Sequence, residues 1–166
     1  MKKISFVILT WNSEKVIKPC LDSIAGINDL SYEIILVDNG STDKTLQIID
    51  AFAGQHGGLQ VKTIRLEKNY GTTISRNMGI RQADPEAEFI CILDSDTVIN
   101  QEAMLELICR LEEDPRNAIA GPSMVNLMGE EQVTAKKIPT AMLKFCKAFP
   151  LQSIQRIGEK NERYDF

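Results

Sequence analysis

The sequence predicts an α/β fold, a mostly parallel sheet with helices on both faces. Three observations predict it. Apolar runs of strand length alternate four times with stretches of helical period. The first run, Ile4–Leu9, is rich in β-branched residues and almost wholly apolar, as a strand covered on both faces should be. Polar clusters carrying Asp or Asn follow the first, second and fourth runs, where loops leave the strands. Successive β-then-α units require right-handed crossovers and hence a parallel sheet.

The first strand is expected over Ile4–Leu9. A helix follows, with Val16, Ile17, Cys20, Leu21 and Ile24 on one face, Asn12 or Ser13 as its cap, Gly26 at its close and a kink at Pro19. The second unit repeats the first: strand Glu33–Val37, the turn Asn39-Gly40-Ser41-Thr42, and a helix carrying Leu46, Ile49 and Phe52 that stops at Gly54. A third strand, Val61–Leu66, precedes a helix from Thr72 to about Ala83, and a fourth, Phe89–Leu93, precedes a helix from Gln101 to Glu113 that ends before Pro115. A fifth strand is expected at Ala118–Ala120. Beyond Gly121-Pro122 the alternation stops, which divides the chain into a core of residues 1–122 and a second region of residues 123–166.

The totals exclude several classes. With 166 residues, 43% hydrophobic and 25% charged, the chain has the material for a real core and no disordered character. Nineteen basic against 23 acidic residues give a net charge of -4, so there is no whole-chain attraction for nucleic acid. Cys20, Cys91, Cys109 and Cys146 show no CxxC spacing and sit among apolar neighbours, as reduced thiols of a cytoplasmic protein do. The opening MKKISFVILTWNSE has a short apolar run but no small-residue cleavage site, and it is too short to span a bilayer.

In an open parallel sheet, ligands bind beyond the carboxyl ends of the strands. Those ends deliver Thr10-Trp11-Asn12, then Asp38-Asn39-Gly40-Ser41-Thr42-Asp43, then Asp94-Ser95-Asp96. Three carboxylates on one rim cost free energy unless a cation or hydrogen-bond donors offset them. Asp94 and Asp96 are one residue apart, so on an extended strand end they would point the same way and share one ligand. Two carboxylates plus a diphosphate suit Mg2+ or Mn2+; a bare Asp-x-Asp is equally a helix cap facing water. Asp38 at its strand tip can accept a hydrogen bond from a pyrimidine N–H, while Ser41, Thr42 and Asp43 read as turn and cap residues. The segment Asn69-Tyr70-Gly71-Thr72 to Gly79 opens the third helix: Gly71 permits close backbone approach, the helix N-terminus favours anions, and Arg76 can pair with phosphate.

Four segments, FVILTWNSEKVIKPCLDSI, YEIILVDNGSTDKT, EKNYGTTISRNMGI and EFICILDSDTVI, in this order and spacing resemble the donor-binding half of family 2 glycosyltransferases with the GT-A, Rossmann-like fold. The resemblance covers about the first 120 residues. The wording of NGSTD and of the Asn-Tyr-Gly segment is similar to the branch with rhamnosyl- and galactofuranosyl-type enzymes of bacterial surface polysaccharides. The resemblance implies that Asp38 binds the uracil or thymine edge of a UDP- or dTDP-sugar, that Thr10 and Asn12 flank the base, and that Asp94 meets the ribose. It implies that Asp96, with Asp94 beside it, ligates Mg2+ or Mn2+, and that Asn69, Gly71 and Arg76 line the donor pocket. The implied reaction is an inverting displacement at the anomeric carbon onto a glycan or lipid-linked acceptor.

A full member of that family continues to an acidic motif that supplies the catalytic base. Here Glu112-Glu113 and Glu130-Glu131 fall elsewhere in the order and read as solvated faces, so the base is unassigned. The chain is expected to represent the donor half, binding nucleotide with metal yet transferring sugar at a negligible rate. His56, in Gln-His-Gly-Gly, reads as a solvated loop residue, and Trp11 either stacks on a base or packs internally. From Lys136 to Arg163, the basic residues Lys136, Lys137, Lys144, Lys147, Arg156, Lys160 and Arg163 interleave with Ile138, Met142, Phe145, Phe149 and Ile154. That pattern fits an amphipathic helix or a peripheral contact at the inner face of a membrane. Two rival classes fare worse. A phosphoacceptor receiver domain needs a lysine at its fifth strand tip, where Ala120-Gly121-Pro122 stands, and a sugar nucleotidyltransferase needs a Gly-rich basic loop where TWNSEK stands.

Overall fold

The computed structural model describes residues 3–126 and 128–132. Its elements run β1 (Lys3–Thr10), α1 (Ile17–Ala25), β2 (Ser31–Asp38), α2 (Thr45–Gln55), β3 (Gln60–Arg65), α3 (Thr72–Ile80), β4 (Phe89–Asp94), α4 (Gln101–Glu112), β5 (Met124–Val125) and β6 (Glu131–Gln132). The first four strands form one parallel sheet in the order β3-β2-β1-β4. The order reverses at β1, whose loop therefore lies between those of β2 and β4. The chain divides into two compact units, Met1–Cys109 and Arg110–Phe166.

The even-numbered side chains of β1 and β2 build one core. Ile4, Phe6, Ile8, Ile34 and Leu36 pack with Leu93 against Ile17, Cys20, Leu21 and Ile24 of α1, Ile49 and Phe52 of α2, and Met104 and Ile108 of α4. Burying such a side chain stabilises by about 1.5–3 kcal/mol, and the even positions turn polar only at the strand ends, Thr10 and Asp38. The opposite face receives α3. A Cβ built on Gly79 would stand 2.6 Å from Val7 Cγ1 and 2.8 Å from Val37 Cγ2, so only glycine lets α3 settle at this depth. At the far end of the same face, the buried Glu33 carboxylate accepts from Ser5 Oγ at 2.6 Å and Asp84 N at 2.6 Å, and pairs with Lys62 Nζ at 2.8 Å.

Several local expectations are corrected. Ala118–Ala120 is no strand: among the described residues nothing pairs with it, and Ile119 is 92% exposed. In the second unit a short antiparallel pair, β5 with β6, turns instead at Gly129, with Asn126 Oδ1 accepting from Met128 N and Glu130 N. Pro19 falls in the first turn of α1, where its missing N–H has no intrahelical acceptor to lose, so it fits the helix start rather than an interior kink. Neither Asn12 nor Ser13 caps α1 through its side chain. His56 caps α2: its Nδ1 lies 3.0 Å from Phe52 O and its ring against Phe52 at 4.3 Å. The helix at Thr72 ends at Ile80, short of Ala83. The basic and apolar stretch Lys136–Arg163, with Cys146, lies outside the described residues. No helix among the described residues is long and apolar enough to cross a membrane.

Candidate functional site

Three loops meet at the carboxyl ends of β2, β1 and β4, and the β1 loop is tied to its neighbours on both sides. Toward β2 the ties are dense. Thr10 O accepts from Asn39 N at 2.8 Å, Asn12 N donates to Ser41 Oγ at 2.9 Å, and Asn12 Oδ1 accepts from Thr42 N at 2.8 Å. Ser13 N donates to Thr45 Oγ1 at 2.7 Å, and Glu14 N to Asp43 Oδ2 at 3.1 Å. Asn12 adopts φ 50°, a left-handed conformation that Asn tolerates better than most residues. Burial opposes ionisation of Asp43, but hydrogen bonds from Thr45 and from the Glu14 N–H outweigh it and hold the carboxyl below its ordinary value.

Asp38 ends β2 and is 1% exposed. Its Oδ2 accepts from Ser41 N at 3.1 Å, while Oδ1 is buried with no hydrogen-bond partner. Thr10 is its register neighbour on β1, and Thr10 Oγ1 is likewise buried and unpartnered. Two such orphans side by side are unusual, because an unsatisfied buried polar group costs about 1–3 kcal/mol. Trp11, between Thr10 and Asn12, is 54% exposed, which removes the internal-packing alternative.

Asn39 is the residue that sequence reasoning undervalued as a turn former. It is 2% exposed, and its Oδ1 accepts from Tyr70 N at 2.9 Å and Ser75 Oγ at 2.8 Å, while its Nδ2 donates to Asn69 Oδ1 at 3.0 Å. Asn69 Oδ1 also accepts from Gly71 N at 2.8 Å, so its amide oxygen shapes the entry to α3. Gly40 makes this junction possible: at φ 77° it needs no Cβ, and one would stand 2.6 Å from Lys68 Cα. Gly71, at φ 80°, has open space around it, so its left-handed conformation rather than crowding calls for glycine here.

Arg76 and the aspartates depart from expectation. Asp94 ends β4 on the α3 side of the sheet, and its Oδ1 is paired with Arg76 NH2. Arg76, expected to meet phosphate, therefore already has a carboxylate partner, although its Nε is buried without one. The strand stops at Asp94, and Ser95–Asp96 form a turn closed by Thr97 N donating to Asp94 O at 3.1 Å. Strand alternation thus does not extend to Asp96, so the expectation of parallel side chains loses its premise. The Asp96 carboxylate is exposed and has no hydrogen bond or ion pair among the described residues. Beneath the turn, burial pushes the Cys20 thiol up to about 12, with the charges of Asp96, Cys91 and Asp94 adding to it. Among the described residues no group of three or more His, Cys, Asp or Glu gathers to hold a metal ion.

Comparisons with known proteins agree with this geometry. The chain is 32% identical over 147 residues to the poly(ribitol-phosphate) β-N-acetylglucosaminyltransferase TarS of Staphylococcus aureus, covering 87% of this chain and 24% of the relative. It is 33% identical over 119 residues to the poly-β-1,6-N-acetyl-D-glucosamine synthase of Staphylococcus epidermidis, covering 71% of this chain and 28% of the relative. The chain thus spans roughly a quarter of the length of these relatives. Among solved structures, S. aureus TarS in complex with UDP-GlcNAc superposes with a TM-score of 0.58 at 36% identity, over 68% of this chain and 32% of that one. A mannosyltransferase from Pyrobaculum calidifontis shares the fold with a TM-score of 0.62 at 24% identity, over 68% of this chain and 32% of that one. The family model described as Glycosyl transferase family 2 matches residues 5–161, and with it the parallel sheet and the loops at its carboxyl end take their place: the chain belongs to glycosyl transferase family 2.

Proposed function

We propose that this chain binds the nucleotide of a UDP-sugar, together with Mg2+ or Mn2+, as the donor side of an inverting sugar transfer onto a glycan or lipid-linked hydroxyl. The observation that carries this reading is the pair of buried, unpartnered oxygens at the tips of β1 and β2, Thr10 Oγ1 and Asp38 Oδ1. A carboxylate oxygen in that state gains from accepting the imide N–H of uracil or thymine, and water exclusion strengthens the bond. TarS, at 36% identity, is crystallised with UDP-GlcNAc, which favours a uridine nucleotide and an N-acetylhexosamine over the rhamnosyl or galactofuranosyl donors suggested by the loop wording.

The donor set suits a hard divalent cation. Asp94 and Asp96 offer carboxylate oxygens only, and such ions are commonly held by one or two carboxylates with substrate phosphates filling the shell. Asp96, unpartnered, would be the principal ligand, with Asp94 shared between the ion's surroundings and Arg76. When bound, the cation would neutralise charge building on the departing diphosphate. The chain's own residues supply the rest: the Thr10–Ser13 loop flanks the base, Asp38 reads its edge, and Asn39 holds the Asn69–Gly71 entry to α3. Arg76 fixes Asp94 and places a positive charge beside the anion.

Isothermal titration with UDP, dTDP and GDP, each with manganese and with chelator, tests the reading. UDP and dTDP should bind, GDP should bind at least tenfold more weakly, and Asp38→Ala should abolish the difference. Equal affinity for GDP would remove Asp38 from the base site.

A further inference from the structure

The carboxylate that would read the base and the carboxylate that would hold the cation stand on strands that are not neighbours, β2 and β4, with β1 between them. The β1 loop is bound to the β2 loop by many hydrogen bonds, as described above. Toward β4 it has one side-chain link among the described residues: Ser13 Oγ lies 2.8 Å from Ser95 Oγ, the middle residue of Asp94-Ser95-Asp96. Ser13 is 6% exposed, and its hydroxyl is fixed by Trp11 N donating to it at 3.3 Å and by Trp11 O at 3.3 Å accepting from it. With that proton on Trp11 O, Ser95 is the donor to Ser13.

We propose that Ser13 and Ser95 form a positioning pair that sets the Asp96 turn relative to the nucleoside-binding loop, and so couples base recognition to cation and diphosphate recognition. The inference rests on the donor-binding reading above. The remaining supports of β4's end hold Asp94, not Asp96: Cys20 Sγ and Thr97 N reach Asp94 O, and Arg76 reaches its carboxylate. Ile99 N donates to Ser23 Oγ at 3.2 Å three residues beyond Asp96, so within the turn itself the serine pair is the side-chain tie nearest Asp96. Losing it frees Asp96 to sample positions that ligate poorly. The base site, held by its own bonds to the β2 loop, stays as it is.

The test is binding by the whole chain, measured by titration calorimetry. For each variant the ratio of UDP affinity in manganese to that in chelator is compared with the affinity for uridine, which has no phosphate. One hydrogen bond of this kind corresponds to a change of about fivefold. Ser95→Ala should reduce the manganese ratio by about that factor while leaving uridine affinity unchanged, and Ser13→Ala, which also removes the hydroxyl bound to Trp11 in the base-flanking loop, should reduce the ratio by a similar factor whatever it does to uridine. In the manganese ratio the double variant should be no worse than the weaker single, since the Ser13–Ser95 bond is lost once, and Ser95→Thr should restore the ratio. Ser95 is partly exposed, so its alanine variant serves even if Ser13→Ala disturbs folding. If Ser95→Ala keeps the wild-type ratio, or loses uridine affinity in the same proportion, the positioning role is refuted and donor binding stands. If the wild-type chain binds UDP equally in manganese and chelator, the cation reading falls and takes this role with it.

Discussion

Replacing Gly79 by alanine should lower stability and nucleotide affinity together, although the same exchange at Gly54 should raise stability. The new methyl at residue 79 would stand 2.6 Å from Val7 Cγ1 and 2.8 Å from Val37 Cγ2. Carbon atoms prefer about 3.5–4.0 Å, so each contact must open by about 1 Å. Neither valine can turn away freely, because β-branched side chains have few rotamers and both residues are fully buried. Overpacking of this kind costs about 1–3 kcal/mol, against a helix-propensity gain of about 1 kcal/mol for alanine over glycine. The net loss of up to about 2 kcal/mol corresponds to a fall in Tm of up to about 8 °C for a chain of this size. Gly54 lies in α2 with nothing within 4 Å of its would-be Cβ, so there the propensity gain stands alone and Tm should rise by about 2–4 °C. Because α3 carries Ser75 and Arg76, its displacement in Gly79→Ala should also weaken UDP binding. Thermal unfolding followed by circular dichroism reads both variants. A Gly79→Ala variant stabilised as much as Gly54→Ala would refute the close seating of α3 on β1 and β2.

Two further outcomes follow from the polar groups. Asp96→Asn keeps shape but removes charge, so UDP affinity in manganese should fall about tenfold or more toward the value in chelator, read by the same titration. Burial opposes ionisation of Glu33, but hydrogen bonds from Lys62, Ser5 and the Asp84 N–H, with the charge of Lys62, outweigh it and hold the carboxyl below its ordinary 4.5. A depressed carboxyl stabilises the fold above its unfolded pKa and loses that contribution as pH falls through the folded one. Denaturant unfolding should therefore find Glu33→Gln less stable than wild type at pH 7, with the gap closing below about pH 4.5; a gap that widens on acidification would contradict the assignment.

The sheet was legible because its cause is local. The apolar runs ending at Leu9, Val37 and Leu93 declare strands, and each structural strand exceeds the run only by a residue or two at its ends, although Ile90 and Ile92 leave one face of β4 exposed. Ala118–Ala120 reads as a strand in sequence but is none, because a strand exists only with a partner and local composition does not reveal one. Asp38, Asp94 and Asp96 could be found as carboxylates at strand tips, yet their partners could not. Arg76 announces a positive charge in sequence, but that the charge is held by Asp94, 18 residues on, is a fact of α3 lying over the sheet face that bears Asp94. The same holds for Asn39 with Ser75, 36 residues apart, and for Ser13 with Ser95, 82 residues apart. Serine and asparagine near a turn look like caps in any sequence. Here the third dimension turns them into ties between loops.

A crystal structure of this chain grown with UDP and Mn2+ tests the central claim most directly. The uracil imide N–H should lie within hydrogen-bond distance of Asp38 Oδ1, beside Thr10 Oγ1, and the manganese on Asp96 with diphosphate oxygens completing its shell. Nucleotide bound away from the tips of β1, β2 and β4, or at them with the base turned from Asp38, would contradict it.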